Sequence, residues 1–364
     1  MAHAADTRTI DVAPDGPVES RLAAQWQRMA ERRGDGPQVL NLLPGRHQLD
    51  AALRLASLPA GSPRHPITIR GNGKAVISGG TVISGWKPTA EGSWAIPWTG
   101  PAVRELFGAD GRIPRARFPA EGWLRIESAF PDRRSGFTAD CDLPALGRGA
   151  ELVFLHDWSV SRITVAGIDG RKLRTVGPIG FPAAHYAIDH FEPHPRYCLE
   201  NDPAILTVPG TWCHDPANQR LLYKPRPQDD IARFAPIVPV LPRLLDLTGT
   251  PENHLPAIRF EGVGFEHCRW DPPAAGYAEG QATKHEPRGQ NTAPGDPHTS
   301  WQFVPWAVEV AWADGVVFTR CRFARLGGSG VLLGAGTRDC AIDDCTVEDV
   351  SGNGLGVGEG AERA

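Results

Sequence analysis

Short runs in which apolar and polar residues alternate return at a fixed shift near the C-terminal end of the sequence. Segments 317–334 and 341–358 carry the same pattern, an apolar residue at every second position interrupted by glycines. Alternation with a period of two predicts β-strands, and the glycines supply tight corners. A repeat of 24 residues lies in the range typical of stacked repeat arrays. The pattern predicts an all-β protein whose fold is a right-handed parallel β-helix.

Stacked coils of a β-helix place equivalent residues above one another, about 4.8 Å apart. We therefore expect Cys345 to lie over Cys321, and Val347 to lie over Phe323, in an interior ladder. A leucine-rich repeat is disfavoured, because the leucine and asparagine spacing of that class is absent.

Two features upstream extend this prediction. Short β-branched runs that end at glycine, within 40–45 and 67–79, predict earlier coils of the same β-helix. Before them, segment 20–33 has apolar residues at spacings of three and four, which predicts an amphipathic helix. Because the terminal units of a repeat array need a cap, we expect this helix to cover the N-terminal end of the β-helix.

The pattern changes along the chain and predicts three segments. Residues 1–85 form the N-terminal cap and first coils, residues 86–250 an inserted antiparallel β domain with Pro-rich turns, and residues 251–364 further coils. A long polar loop rich in Gly and Pro separates Trp270 from Pro305. The sequence stops just after a strand, so we expect these last coils to be truncated, as in a fragment of a longer protein.

Composition narrows the function classes. The chain has 364 residues with a net charge of −4, so it has no basic footprint for nucleic acid. No stretch of about 20 apolar residues predicts a membrane span. The N-terminus has no apolar signal core, so the protein is expected to be cytoplasmic, or periplasmic or secreted if a signal peptide was removed. The seven cysteines lack CxxC spacing and are expected to be mostly buried free thiols, with Cys198 and Cys213 as the pair to check for a disulfide.

Several segments together resemble one family. They include 66–71, 104–107 with 114–119, 155–159, 197–201, 209–212, 221–225 and 276–281. In this order and spacing the chain, from about residue 37 onward, resembles the right-handed parallel β-helix proteins of glycoside hydrolase family 141, within the pectate-lyase-like superfamily. The resemblance implies a β-helix with an inserted β domain and hydrolysis of plant-type glycans. It also implies that later coils, beyond this chain, carry part of the active site.

Glycoside hydrolysis generally needs two carboxylates that flank the scissile bond. Glu309 lies between apolar neighbours that point inward, so its side chain points outward; we expect Leu332 and Gly356 beside it, one offering an apolar sugar face and the other leaving space. Glu279 on the long loop and Glu359 near a groove edge are further catalytic candidates. A solvated surface position is the alternative for each of these three residues.

The candidates for substrate binding are His285 and three aromatic side chains, because aromatic rings supply an apolar face to a sugar. These aromatic residues are Trp270, Tyr277 and Trp312. No cofactor or metal is predicted, although structural calcium on the acidic residues of 343–349 is left open, since hard oxygen ligands suit it.

Three functions remain open from the sequence: a glycoside hydrolase acting on a plant-type or related polysaccharide, a polysaccharide lyase, and a non-catalytic glycan-binding protein. The first is favoured. A lyase needs a basic residue and a neutralised uronate, and outward Lys and Arg are scarce on the predicted groove. The partner is expected to be a polysaccharide or oligosaccharide, with no nucleic acid and no membrane, and the oligomeric state is unknown.

Overall fold

The computed structural model of this chain describes residues 7–15, 21–32, 35–56, 65–147, 149–180, 187–281, 284–287 and 301–358. The chain divides into two compact units. Unit 1 comprises Met1–Val82, Ile237–Trp270 and Pro305–Ala364, and unit 2 comprises Ile83–Pro236 and Asp271–Val304.

The first part of unit 1 contains one helix and six strands: β1 (Arg8–Val12), α1 (Leu22–Glu31), β2 (Gln38–Leu42), β3 (Gly45–Gln48), β4 (Leu53–Ala56), β5 (Ile67–Ser78) and β6 (Gly80–Val82). The first part of unit 2 follows with β7 (Lys87–Pro88), β8 (Trp94–Pro97), β9 (Phe107–Gly108), β10 (Gly111–Arg112), β11 (Arg117–Phe118), β12 (Leu124–Ala129), β13 (Gly136–Ala139), β14 (Glu151–Leu155), β15 (Val160–Asp169), β16 (Lys172–Thr175), β17 (Arg196–Glu200), β18 (Thr211–Asp215) and β19 (Arg220–Lys224), with short 3-10 turns at Pro203–Ile205 and Pro216–Asn218.

The chain returns to unit 1 with β20 (Ile237–Pro239), β21 (Leu245–Thr248) and β22 (Ile258–Cys268). Three strands then belong to unit 2, namely β23 (Gly276–Gln281), β24 (Lys284–Pro287) and β25 (Gln302–Phe303). Unit 1 ends with β26 (Trp306–Ala311), β27 (Val316–Thr319), β28 (Arg322–Leu326), β29 (Ser329–Leu333), β30 (Ala341–Asp343), β31 (Thr346–Val350) and β32 (Leu355–Val357).

Two sheets with parallel pairing build unit 1. The long parallel sheet runs β1-β2-β5-β22-β27-β30, and β3, β28 and β31 extend it beside β5, β22 and β28. The short parallel sheet runs β4-β21-β26-β29-β32. Apolar residues from both sheets form one buried core. The alternate residues of each strand point outward, and functional side chains are therefore sought among them.

The 24-residue shift predicted from the sequence is the register of the last strands. Phe318 pairs with Ile342 and Phe323 with Val347, which confirms the predicted neighbour of Phe323. The backbone N–H of Cys321 donates to the Cys345 sulfur at 3.3 Å, so these two cysteines are neighbours as predicted. Like residues therefore stack over like in this part of the chain.

Helix α1 lies within the segment predicted to be helical. Its residues Leu22, Trp26 and Met29 are buried in the core of unit 1. The Trp26 ring stacks on Phe260 with centroids 6.5 Å apart, and its indole N–H donates to the Arg54 carbonyl at 2.8 Å. The spacing of apolar residues thus identified both the helix and its buried face.

Six strands of unit 2 close into an antiparallel barrel. Its order is β17-β12-β13-β16-β15-β14, and β14 pairs back with β17. The interior holds Phe137, Phe154 and Tyr197, with the Phe137 and Tyr197 rings 4.6 Å apart. Closure leaves these strands without free edges, which stabilises the barrel as a unit.

The right-handed parallel β-helix with an N-terminal cap helix and an inserted antiparallel β domain is wrong as a fold class for this chain. The described residues form an all-β protein, 5% helical, with a closed six-stranded antiparallel barrel and mostly parallel sheets. Alternation with a period of two is common to parallel and antiparallel strands, so it does not predict that strands close into a barrel. The 24-residue repeat lies at the end of the chain, and the upstream strands β2, β3 and β5 pair in parallel within the same long sheet.

Among the described residues, no helix is long and apolar enough to cross a membrane. All seven cysteines are free thiols, so Cys198 and Cys213 do not form a disulfide in this structure.

Candidate functional site

A row of outward side chains crosses the short parallel sheet. Strand register aligns five residues, one from each strand in the order β4, β21, β26, β29, β32: Arg54, Asp246, Glu309, Leu332 and Gly356. Their neighbours along the strands, such as Leu245 and Val308, are fully buried in the core. We call this set the outward row. It confirms the predicted placement of Leu332 and Gly356 beside Glu309.

One arginine joins the two carboxylates of the outward row. The Arg243 guanidinium lies 2.5 Å from Glu309 Oε2 and 3.8 Å from Asp246 Oδ2. The side chains of Glu309 and Asp246 are 14% and 22% exposed. In-register strands lie about 4.8 Å apart, so the backbone positions that carry these two carboxylates are neighbours across the sheet.

The Asp246 carboxylate has further neighbours towards the open end of the row. The Thr248 hydroxyl donates to Asp246 Oδ1 at 2.7 Å, and Arg54 Nε lies 3.7 Å from Oδ2. The Arg54 side chain is 79% exposed, so it can move aside at little cost. The row is therefore accessible at its Arg54 end.

The other end of the row is filled by a side chain that the sequence had not singled out. A methyl group placed on Gly356 would lie 2.6 Å from the Trp306 ring and 3.0 Å from Leu332. Leu332 is only 3% exposed and Trp306 only 4%. The predictions of free space at Gly356 and of an apolar sugar face at Leu332 are therefore wrong, because the Trp306 ring occupies this end of the row.

The remaining predicted residues of unit 1 lie outside the row. Trp312 follows β26 in the left-handed backbone region, and its ring packs over Gly336 and edge-on to His254 at 5.8 Å. His254 Nδ1 in turn lies 2.8 Å from Asp314 Oδ1. Trp270, half-buried, lies just beyond the end of β22. Neither tryptophan is aligned with Glu309 by strand pairing.

Tyr277 and His285 are brought together, but in unit 2. Their rings are edge-to-face with centroids 5.5 Å apart, and both side chains are buried. Burial raises the pKa of Tyr277 and lowers the pKa of His285 to about 4, so both are neutral near pH 7. Glu279 belongs to β23, with its side chain outside the described residues, and Glu359 lies outside them altogether.

Unit 2 contains a second pair of carboxylates that the sequence did not reveal. Glu151 and Glu200 are register partners on β14 and β17. Arg115 contacts both, at 2.8 Å and 3.3 Å, while Arg104 lies 2.8 Å from Glu151 and Arg162 lies 2.6 Å from Glu200. We call these five residues the barrel charge network.

Electrostatics identify the barrel charge network as structural. Burial works to raise the pKa of Glu151, but Arg115 and Arg104 outweigh it and lower the pKa to about 2. The pKa of Glu200 is lowered in the same way, with burial opposed by Arg162 and Arg115. Carboxylates that are buried and held by several arginines are poor proton donors and poor nucleophiles.

A third cluster lies in unit 1, around the end of β22. His267 Nδ1 lies 3.0 Å from the Ser78 hydroxyl, and Glu266 pairs with Arg322 and, at 3.6 Å, with Arg325. Burial and the nearby arginines lower the pKa of His267 to about 3. Ser78 has no exposed surface, so this Ser–His–Glu arrangement cannot present its hydroxyl to a substrate.

The acidic residues of 343–349 are the predicted position for structural calcium. Within the described ranges, no three or more His, Cys, Asp or Glu side chains gather in a geometry that could hold a metal ion. Structural calcium and the expected lack of a cofactor stay predictions.

Comparisons with known proteins find a solved structure with a similar fold. No protein-family model matches the chain, and no curated protein matches its sequence. A solved structure named "Glycoside hydrolase" is similar with a TM-score of 0.80 and 23% identity, covering 97% of this chain and 68% of that chain. At this identity the likeness shows the fold alone.

Two other solved structures match at TM-scores that support no argument about this chain. "The complex structure of XylC with xylose" has a TM-score of 0.36 and 10% identity, over 96% of this chain and 60% of that chain. The tailspike gp61 of Pseudomonas phage phi297 has a TM-score of 0.19 and 8% identity, over 95% and 43%. The chain thus shares its fold with a structure named a glycoside hydrolase, and the resemblance to family 141 remains a prediction.

Proposed function

We propose that this protein is a glycoside hydrolase whose catalytic pair is Asp246 and Glu309. The observation that carries the proposal is their register on adjacent strands, with both carboxylates beside the same guanidinium. Retaining glycosidases hold their two carboxyl groups about 5–5.5 Å apart and inverting enzymes about 6.5–9.5 Å, so side chains that leave strands about 4.8 Å apart suit a retaining mechanism. The fold shared with a structure named a glycoside hydrolase agrees with this proposal.

The two carboxylates receive different roles. Glu309, whose Oε2 lies 2.5 Å from the Arg243 guanidinium, is the nucleophile. Asp246 faces the open end and is the acid and base. In the first step Asp246 protonates the glycosidic oxygen while Glu309 attacks the anomeric carbon, which forms a glycosyl ester and releases the leaving group. In the second step Asp246 removes a proton from water, which hydrolyses that ester.

The substrate class that we propose is a plant-type or related polysaccharide, entering from the Arg54 end of the row. The Trp306 ring closes the Gly356 end, so a sugar residue is positioned over Asp246 and Glu309 rather than over Leu332. A chain end or an oligosaccharide would fit such a one-sided approach.

The test is a reducing-sugar assay on a panel of plant and bacterial glycans, with wild type, Glu309→Gln and Asp246→Asn. Both variants should lose hydrolysis of any glycan that wild type cleaves. Glu261→Gln is the matched control, because Glu261 is a glutamate of unit 1 that also pairs with an arginine, Arg70, at 2.9 Å, but lies outside the outward row. Activity of Glu309→Gln equal to that of the control would contradict the proposal.

A polysaccharide lyase is the second candidate, favoured by one observation. Arg54 and Arg243 both lie beside Asp246, although the sequence had indicated few outward cations there. Lyases break the glycosidic bond by elimination and leave an unsaturated sugar that absorbs ultraviolet light. A product without that absorbance, formed with uptake of water, selects the hydrolase.

A further inference from the structure

A cleft of about 520 Å³ opens on the outer face of the barrel. Its volume lies in the range of small-molecule sites. It is lined by Ala129, Phe130, Pro131, Asp132, Ser135, Thr138, Lys172 and Arg174. Every lining residue belongs to unit 2.

Strand geometry puts two cations into this cleft. On β16, Leu173 is buried in the barrel core, so Lys172 and Arg174 on either side of it point outward. They pair in register with Thr138 and Gly136 of β13. Alternation along the strand therefore sets both positive charges on one face.

Neither cation is neutralised by a salt bridge within the part of the chain that the structure describes. This differs from the preceding residue, Arg171, which pairs with Glu127 at 2.8 Å. Lys172 and Arg174 are both exposed, so their charges are available to an anion from solution.

The Arg174 guanidinium is held in place by an aromatic ring. It lies 4.7 Å from the centroid of Phe130. The ring sits where a methyl group on Gly136 would come within 2.5 Å of it, so the glycine leaves room for this arrangement. A guanidinium fixed over a ring is oriented before any ligand arrives, which lowers the entropic cost of binding.

The loop that forms the opposite wall is fixed as well. The backbone N–H groups of Arg134 and Ser135 both donate to Asp132 Oδ1 at 3.1 Å. The Arg134 carbonyl accepts from the Ile179 N–H at 2.8 Å. Asp132 is therefore positioned to accept hydrogen bonds, while Thr138 offers a hydroxyl group.

We propose that this cleft binds a negatively charged sugar residue of the uronic acid type as part of a glycan chain. Arg174 and Lys172 take the carboxylate, and Asp132 and Thr138 take sugar hydroxyls. A simple polyanion fits less well, because Asp132 repels it and gains no hydrogen bond in return. The identification of the ligand as a sugar rests on the proposed function. The proposal that the cleft binds an anion rests only on its own residues.

The experiment is isothermal titration calorimetry with the Glu309→Gln protein, so that no probe is consumed. The probes are a short oligogalacturonate, a neutral cello-oligosaccharide of equal length, and polyglutamate. We expect binding of the oligogalacturonate, and at least a tenfold loss of affinity in Lys172→Met/Arg174→Gln. The control Lys87→Met/Arg233→Gln removes the same charge from exposed positions of unit 2 outside the cleft and should bind as the parent does.

Equal oligogalacturonate affinity in the cleft variant and the control overturns the site, and so does absence of oligogalacturonate binding to the parent protein. Equal or tighter binding of the cello-oligosaccharide or of polyglutamate overturns the assignment of an acidic sugar. Failure of the wild-type protein to hydrolyse any glycan would reject the proposed function separately, because these titrations do not depend on turnover.

Discussion

The barrel charge network of unit 2 and the outward row of unit 1 each contain two carboxylates on neighbouring strands, held in opposite ways. In the barrel, Glu151 and Glu200 share Arg115, and each also contacts an arginine of its own. Their side chains are 10% and 13% exposed. The charges are thus compensated several times over, since each carboxylate contacts two arginines.

In the outward row, Asp246 and Glu309 share Arg243, and the further cation, Arg54, is largely exposed at 3.7 Å from Asp246. This pair keeps access to solvent at one end. The difference teaches that a carboxylate pair alone does not mark an active site. In the barrel each carboxylate is held by two arginines in the interior, whereas in the outward row the Arg54 neighbour of Asp246 is largely exposed and leaves that end open.

Exchanging the carboxyl for an amide at Glu309 should show the largest difference between the outward row and the barrel charge network, because it should act on activity more than on stability. We expect Glu309→Gln to lower kcat/KM on any hydrolysed glycan on the order of 10³-fold, because the nucleophile is lost. Its free energy of unfolding should fall by about 1–3 kcal/mol, less than for the barrel exchange, because Arg243 keeps Asp246 as a carboxylate partner at 3.8 Å. Steady-state kinetics and urea denaturation measure both; a large loss of stability would place Glu309 with the barrel type of site.

The same exchange in the barrel should act on stability. Glu200→Gln leaves Arg162 and Arg115 buried with weakened partners, and we expect a loss of about 3–5 kcal/mol in unfolding free energy. Glu127→Gln, which breaks only the exposed pair with Arg171, should cost no more than about 1 kcal/mol. Similar losses in the two variants would show that the network is not the stabilising element described above.

Acid should weaken unit 1 through His267. Its pKa of about 3 in the folded protein lies below the value of about 6.5 expected on unfolding. Between these values the unfolded chain binds more protons, so stability falls as pH falls from about 6.5 towards 3, by at most about 1.4 kcal/mol per pH unit. His267→Asn, which tolerates the left-handed backbone at this position, should flatten that slope in denaturation curves across pH. Parallel curves for the two proteins would rule out the histidine as the cause.

The closed end of the row should show the smallest effect. A methyl group at Gly356 meets the Trp306 ring at 2.6 Å, so Gly356→Ala should lose about 1–3 kcal/mol through overpacking. Gly167→Ala is the control, because nothing lies within 4 Å of its added methyl group. Equal thermal stabilities of these two variants would mean that the Trp306 ring does not fill the row.

The sequence predicted those parts of the structure that depend on local periodicity. Spacing of apolar residues located helix α1, and the repeat gave the register between β27–β29 and β30–β32. It did not reveal barrel closure, because strand alternation carries no information on pairing direction. Contacts between distant segments are set by register over the whole fold, which no local pattern encodes.

Asp246 is the clearest case of a missed residue. Leu245-Asp246-Leu247 shows the same apolar, acidic, apolar alternation that drew attention to Val308-Glu309-Val310. The sequence pattern places residues up to 250 in the inserted domain, whereas β21 pairs with β26 in unit 1. The sequence does not indicate a role for Arg243 either, because only the fold brings it close to both carboxylates.

The most direct test of the account is a double-mutant cycle on kcat/KM with Asp246→Asn, Glu309→Gln and the combined variant, measured on a glycan that wild type hydrolyses. Two residues that act as one catalytic unit should be strongly non-additive, so the double variant should be little worse than either single variant. Each single variant should already have lost most of the activity. Near wild-type activity of either single variant, or losses that simply multiply in the double variant, would contradict the claim that Asp246 and Glu309 form the catalytic pair.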